Sequence, residues 1–527
     1  MSSVFRSAAY SADAAPEGGN EPRPDITAPA TKDANVITAV DGSYSIGTIT
    51  ILPANVFDLS NPDEDTLIGR VGDILHVVTM EGTIRNELLF KEGDPYDKEL
   101  IEETERNIRL RTYLTEVQIV TKPNPVTKTV DVTVKTKDHW TLIIGGTVGG
   151  TNQNGVVGLD VGEKNLAGLG QTLSYSYRHD NTGASNSAAF SDPNLAGTRY
   201  ALGLSYLQTP MEIDKSVSFQ RPFYSLETES SHGISYSSKA HFEPTLNYNS
   251  YRLVAFYGLA YFFYDEILRP SVALSIGEQN VLYPTVPSTA TRDNKIELTL
   301  AALEEPRNFA KDSYIQSVRQ TEDIPLGAQY TYLVGQALET LGSTTTETSL
   351  SFQATKWTRL FERDYLYGAL SLAVNDDNFN KQLADLQAQY FFRRFLLHTL
   401  FFNFHASYLD SDSNRFYLGA TTGLRGYPVN QFVGRNLILI NLEDRIYTYQ
   451  SMLFGIIEPG FVLFLDSGDA WNNFTGDTFH GLYSDVGAGL RFGILKAPGI
   501  SLVRIDYGVP LGYKGAPVIS LGVSGTF

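Results

Sequence analysis

Gly423-Leu424-Arg425-Gly426-Tyr427-Pro428 decides how this chain is read. An arginine stands between two glycines and is followed by an aromatic and a proline. The stretch around it, Asp410 to Gly434, is too rich in Gly, Ser, Asn and Asp for a strand. The chain on either side alternates apolar and polar residues with period two, the mark of a half-buried strand. A loop of this length between strands is usually functional or unstructured. What Arg425 could hold on to depends on those strands.

From Trp140 to the end, helix signals are nearly absent. Leu173, Tyr175 and Tyr177 alternate with Thr172, Ser174 and Ser176. The triplets Leu202-Leu204-Tyr206, Ile296-Leu298-Leu300 and Val503-Ile505-Tyr507 repeat the pattern. A soluble sheet with one wet face alternates in the same way, and a large propeller is the soluble rival. A closed barrel in lipid accounts for the whole run with one rule, apolar out and polar in. The candidate strands number in the high teens. The firmest are the five after the loop: Asn436–Tyr447, Leu453–Asp466, Ser484–Ile494, Leu502–Gly508 and Val518–Phe527. Leu453–Asp466 is apolar on both faces, so alternation does not orient it. The final strand puts Ile519, Leu521, Val523 and Phe527 on one face and Ser520, Gly522, Ser524 and Thr526 on the other.

Composition agrees with such a barrel. Charged residues are 19% of the 527, aromatics 12%, with 30 Tyr, 29 Phe and 45 Gly. Antiparallel sheet with many turns and aromatic girdles has this profile. The formal charge of −18 argues against a nucleic-acid surface. With no cysteine, disulfides and thiolate metal sites are excluded. The most apolar run, Leu253 to Tyr264, falls short of the roughly 20 residues a spanning helix needs. Arg6 is followed by Ser, Ala, Tyr and Asp rather than an apolar core, so no signal peptide is visible. The eight histidines lack metal-ligand spacing, and no Ser-His-Asp set is legible. His139-Trp140, at a domain junction, reads as packing. No metal, no cofactor and no enzymatic chemistry are expected.

Residues 1–44 mix Ala, Pro, Glu, Asp and Ser without pattern and read as a disordered tail. Residues 45–138 read as a small α+β domain. Ile46–Leu52 is a strand, Thr66–Phe90 has helix-compatible spacing broken by glycines, and Asp97–Thr112 is the clearest helix. There Leu100, Ile101 and Ile108 share one face, and Glu102–Arg106 and Glu105–Arg109 are favourable i,i+4 pairs. The strands Glu116–Thr121 and Thr129–Lys137 form a hairpin over Pro123-Asn124-Pro125. Residues 139–527 are the barrel.

Three later runs carry a resemblance. The loop GLRGYP, FLDSGDAW (Phe464 to Trp471) and GAGLRFGI (Gly487 to Ile494) are similar to C-terminal motifs of the outer-membrane assembly and translocation superfamily, the BamA/TamA-like surface antigens. FKEGDPYD (Phe90 to Asp97) resembles the link into the second helix of a POTRA domain. FSDPNLAG (Phe190 to Gly197) resembles an early-barrel pattern, and the terminal Phe527 the recognition signal of bacterial outer-membrane barrels. The resemblance covers most of the chain and implies one POTRA domain plus a barrel of about 16 strands.

It also implies that the loop tip folds back into the lumen. Arg425 would then pair with Asp466, with Gly468 beside it. Chemistry agrees: a desolvated guanidinium needs an acceptor matching its fork, which a carboxylate supplies. Gly423 and Gly426 would allow a tight turn, Tyr427 would pack against inward side chains, and Leu424 completes the loop motif. Glu443, Arg445 and Arg491 are further lumen candidates. The implied setting is the bacterial outer membrane with POTRA in the periplasm. The implied partners are the lipid bilayer, unfolded outer-membrane or secreted client polypeptides and accessory periplasmic proteins, with no nucleic acid. The implied function is insertion of outer-membrane proteins through POTRA and a lateral seam starting at the glycine-rich strand Thr141–Gly150. The alternatives are a polypeptide secretion pore of the two-partner type and a surface-antigen barrel without such activity.

Overall fold

The computed structural model describes residues 42–150, 155–180, 182–243, 247–282, 290–376, 381–395, 397–410, 415–472, 478–479, 481–496, 502–512 and 515–523. The tail expected at the N-terminus lies outside these residues up to position 41, and so does Phe527.

The small domain is a three-stranded sheet with helices on one face. Its strands are β1 (Ser45–Ala54), β2 (Leu114–Asn124) and β3 (Thr129–Asp138). The sheet order is β1-β3-β2, with β3 parallel to β1 and antiparallel to β2. Val130, Val132 and Val134 of the central strand are fully buried with Ile46, Ile49 and Ile51. The helices are α1 (Leu67–Leu75), α2 (Glu81–Arg85) and α3 (Lys98–Arg109). Helix α3 contributes Ile101 and Ile108 to the core, and α2 contributes Ile84. The Asp97 carboxylate caps α3 by accepting the N–H groups of Glu99 and Leu100 at 2.9 and 3.2 Å. Glu105 and Arg109 do pair along α3. Glu102 instead takes Lys98 at 3.1 Å, because Arg106 turns inward and stacks on Phe309 at 3.9 Å.

The rest of the chain is a closed antiparallel barrel. Among the described residues it has 20 spanning strands and one two-residue segment, Tyr261–Phe262. The barrel is therefore wider than the 16 strands implied by resemblance. Early strands such as Ala201–Gln208, whose Leu202-Leu204-Tyr206 alternation the sequence shows, bring the total closer to the high-teens count of candidate strands. Alternation holds around the wall. On Ile457–Trp471, Phe461, Leu463 and Leu465 face outward, whereas Val462, Phe464 and Asp466 are buried inside. That strand starts four residues later than its sequence suggested, because Met452 bridges to Ile457 and leaves residues 453–456 in a turn. The strand also runs on to Trp471, so Asp466 sits well inside it rather than at its end.

A lumen of this width would hold an aqueous channel or need a plug, since barrels of about 16–18 strands already conduct. Two inserted segments occupy it here. Between the strands His398–Asp410 and Asn436–Tyr447, the described part of the loop, residues 415–435, enters from the end opposite the small domain. It is not wholly irregular: Phe416–Leu418 pairs with Phe432–Gly434. At the other end, residues 307–326 form a hairpin, Phe309–Asp312 against Glu322–Pro325, whose tip crosses the mouth. No sequence signal marked this second insertion.

The small domain lies against the same mouth and touches successive barrel turns. Met80 N–H donates to Gly168 O at 2.9 Å, Arg199 to Leu88 O at 2.7 Å, and Leu226 N–H to Glu103 at 2.6 Å. Farther round, Arg109 pairs with Asp323 of the hairpin, and Lys496 with Glu64. At the junction His139 is 1% exposed, and burial pushes its imidazole down to about 3, so it packs as a neutral ring.

Candidate functional site

Arg425 is 0% exposed and is held on four sides. Its Nε and Nη2 donate to the two oxygens of Asp466 at 2.8 and 2.7 Å, the fork-to-fork geometry that only arginine offers. Nη1 donates to Glu443 Oε1 at 2.6 Å. The guanidinium carbon lies 3.6 Å from the centroid of the Phe464 ring. The backbone N–H of Arg425 also reaches Asp466, at 3.3 Å. Two carboxylates thus face one guanidinium, and Arg445 supplies a second cation, donating to Glu443 Oε2 at 2.6 Å. Formal charge in this buried cluster cancels, as the burial of ions demands.

Strand pairing places the set. Glu443 and Arg445 lie two apart on Asn436–Tyr447 and so share a face. Asn441 stands opposite Asp466 on the neighbouring strand. Its Nδ2 donates to Asp466 Oδ1 at 2.8 Å and to Gly423 O at 2.9 Å, tying loop backbone and wall together. Asn441 was missed in the sequence, where an asparagine in a strand carries no signal. Arg491 is also buried, but it turns to Asp506 at 2.7 Å rather than to the loop.

The loop tip is seated by close backbone approach. Gly423 has a φ of +121°, a conformation that L side chains rarely adopt. A Cβ on Gly426 would stand 2.5 Å from the Asp485 Cβ, and one on Gly508 would stand 2.6 Å from the Arg425 carbonyl carbon. Gly508 belongs to the facing wall and is a second residue that sequence reasoning passed over. Gly468 does not touch Arg425. Its bare Cα leaves room for Leu418, 3.0 Å from where a Cβ would be. Leu424 and Tyr427 are buried with Leu418, Leu437 and Leu439. The Tyr427 hydroxyl donates to Ser484 O at 3.0 Å, and its ring meets Phe432 edge-on at 5.3 Å.

A second polar cluster invites a chemical reading. Asp385, His405 and Ser407 lie on neighbouring strands, with His405 Nε2 2.7 Å from Asp385 and 2.9 Å from the Ser407 hydroxyl. Asp385 and Ser407 meet the same ring nitrogen. A nucleophile triad instead needs the carboxylate on Nδ1, so that Nε2 is free to take the serine proton. This cluster lacks that order.

At the domain end the hairpin tip is anchored differently. The Glu322 carboxylate accepts the backbone N–H groups of Ile315, Gln316 and Ser317 at 3.0 to 3.1 Å, folding the tip on itself. Tyr314 then packs its ring at a tilt against Tyr447 and Tyr449 and donates to Glu458 at 3.1 Å.

The sheet of the small domain leaves one edge open. The 93–96 segment covers the start of β1, with Ile46 N–H on Asp94 O at 2.8 Å, and Glu92 takes the Ile49 N–H at 3.0 Å. On β2 the outward N–H of Ile119 meets Glu105 at 3.2 Å, while Val117 and Thr121 present theirs on the same side. Pro123 has no N–H and ends that edge.

Residues 76–137 match the POTRA family, described as a surface antigen variable number repeat. No curated protein sequence matches the chain. Among solved structures, the chain is similar to CdiB from Escherichia coli at 13% identity and a TM-score of 0.43, over 90% of this chain and 75% of that one. CdiB from Acinetobacter baumannii gives 13%, 0.42, 91% and 73%. BamA from Haemophilus ducreyi lacking POTRA domains 1–3 gives 12%, 0.35, 90% and 83%. The fold assignment stands on the closed barrel and the matched POTRA segment themselves.

Proposed function

We propose that this chain, a POTRA domain joined to a closed membrane barrel and so organised like the outer-membrane assembly and translocation superfamily, inserts client polypeptides into the bacterial outer membrane. The observation that carries the reading is the loop tip locked by Arg425 to Asp466 and Glu443, in a barrel whose mouth lies against a POTRA domain. Neither part has a use in a simple anchor. The POTRA domain lies in the periplasm and offers the β2 edge to an extended client, which adds as a further strand. The client then meets the seam between Leu142–Gly150 and Val518–Val523. Gly145, Gly146, Gly149 and Gly150 weaken the first of these strands. A seam this weak can part sideways and template a client strand.

Secretion through the lumen is the rival reading, and the wide barrel favours it. In that case the loop and the hairpin are two plugs in series. Cysteine pairs across residues 142–150 and 518–523 separate the two. Insertion is expected to stop when the seam is locked and to resume on reduction, read as appearance of folded client barrels in depleted cells. Full activity of the locked protein would remove the insertion reading. Single-channel conductance after deletion of 411–435 tests the pore.

A further inference from the structure

Helix α1 is built inside out. Its nine residues bury two glycines, Gly69 and Gly72, and expose their aliphatic side chains. Leu67 is 79% exposed and Ile74 80%, with Ile68, Val71 and Leu75 also outward. On a helical wheel these five fill an arc of about 120°, the width that normally faces a core. The glycines are the reason for the inversion. A Cβ on Gly72 would stand 2.7 Å from the Phe57 ring and 2.9 Å from that of Trp140, and one on Gly69 2.2 Å from Glu64 O. The helix is therefore pressed onto its own domain by its bare side. The Thr66 hydroxyl fixes its start by accepting Gly69 N–H at 3.1 Å. Nothing in the POTRA core requires an apolar outer face.

Position says what covers it. Trp140, against which α1 packs, donates its indole N–H to Leu142 O at 2.7 Å, and Leu142 opens the first barrel strand. Ile144 on that strand is 72% exposed and is paired with outward-facing Val161, so the lipid belt begins within two residues of this contact. On the other flank, Glu64 binds Lys496 and lies 3.4 Å from the Cβ position of Gly455. The turn that holds Gly455 also exposes Met452, Leu453 and Phe454. Helix α1 thus sits between exposed apolar turn residues on one flank and the start of the barrel's lipid-facing wall on the other.

We infer that α1 is an interfacial helix, its aliphatic face buried in the acyl boundary of the leaflet nearest the POTRA domain, beside the barrel seam. Amphipathic helices with an apolar arc of this kind lie in the membrane plane and sink about 5–10 Å into it. The inference goes beyond the proposed function, needing only that the barrel spans a bilayer. It gives the POTRA domain a second hold on the membrane, next to the strand at which a client would enter.

The chain has no cysteine, so one introduced thiol is unique. Ile74→Cys carrying a nitroxide label is placed in phospholipid nanodiscs as the full chain. Leu463→Cys on the outer wall is the lipid reference, and Val126→Cys, 90% exposed on the β2–β3 turn, the water reference. Position 74 is expected to collide with dissolved oxygen in preference to a water-soluble nickel chelate, as position 463 does, and Leu67→Glu is expected to abolish that preference. Collision behaviour like that of position 126 overturns the inference. So does protection that emerges only when an unfolded barrel polypeptide is added, since the face would then be a client surface.

Discussion

Two segments enter this barrel from opposite ends and land on the same wall, yet they hold by different physics. The loop of 415–435 is fixed by charge: one guanidinium shared between two carboxylates, none of the three exposed. The hairpin of 307–326 is fixed at its tip by itself, with Glu322 gathering three N–H groups, and at its flanks by Tyr314 on Glu458, Asp312 on Arg393 and Tyr365, and Asp323 on Arg109 of the small domain. A loop that depends on its wall transmits what happens to that wall. A hairpin folded on itself can leave as a unit. The comparison therefore assigns the loop the part of a strut coupled to the strands, and the hairpin the part of a removable stopper.

The largest expected effect breaks the strut. Arg425→Ala leaves Asp466 and Glu443 buried without their shared cation, and breaking one side of a buried ion pair costs about 3–5 kcal/mol. The barrel is expected to lose its resistance to heat in detergent, read as the temperature at which the compact band disappears on a gel. Arg425→Asp should be worse still, and adding Asp466→Arg should restore part of the loss. If the two changes simply add, the loop and wall are not coupled and the strut reading fails.

Glu322→Ala attacks the stopper. It strands three N–H groups, those of buried Ile315 and Ser317 and of exposed Gln316, each costing about 1–3 kcal/mol where water does not reach it. The effect should therefore be local: residues 313–320 become cleavable by protease while the barrel's heat resistance barely moves. Loss of both together would mean that the hairpin is as structural as the loop, and the contrast between them would vanish.

Sequence made the loop legible and left the hairpin hidden, for a physical reason. Arg425 and Asp466 were legible because GLRGYP and FLDSGDAW together resemble motifs of one superfamily, which implied their pairing; read alone, the loop run is a turn with an arginine in it. The hairpin is made of ordinary turn residues, and its anchor Glu322 spends its carboxylate on backbone groups, which no pattern of side chains announces. The strand count failed similarly. Period two survives in short strands, but their ends depend on bridges such as Met452 to Ile457 that only the closed sheet defines. Gly508 was invisible because its role is to be absent where the loop backbone passes. Helix α1 was half legible: its spacing suggested a helix, but the pattern alone could not say which side faced in.

The smallest change tests how sharply the strut is tuned. Tyr427→Phe keeps the ring against Phe432 and Tyr483 and removes only the hydroxyl that donates to Ser484 O. A single neutral hydrogen bond is worth about 0.5–1.5 kcal/mol, so heat resistance should fall by a small, measurable step. Ser484 lies on Tyr483–Ile494, next to the strand that carries Asp466 and apart from the one that carries Glu443. Tyr427 therefore ties the loop to a third strand that Arg425 does not reach through its side chain. If the loop is a strut across several strands, Tyr427→Phe combined with Arg425→Lys should cost less than the two steps summed, because each contact holds the tip in place for the other and either change alone already loosens both. Simple addition would instead make the tip a set of independent pegs, and the wall could shift one strand at a time without the loop leaving it.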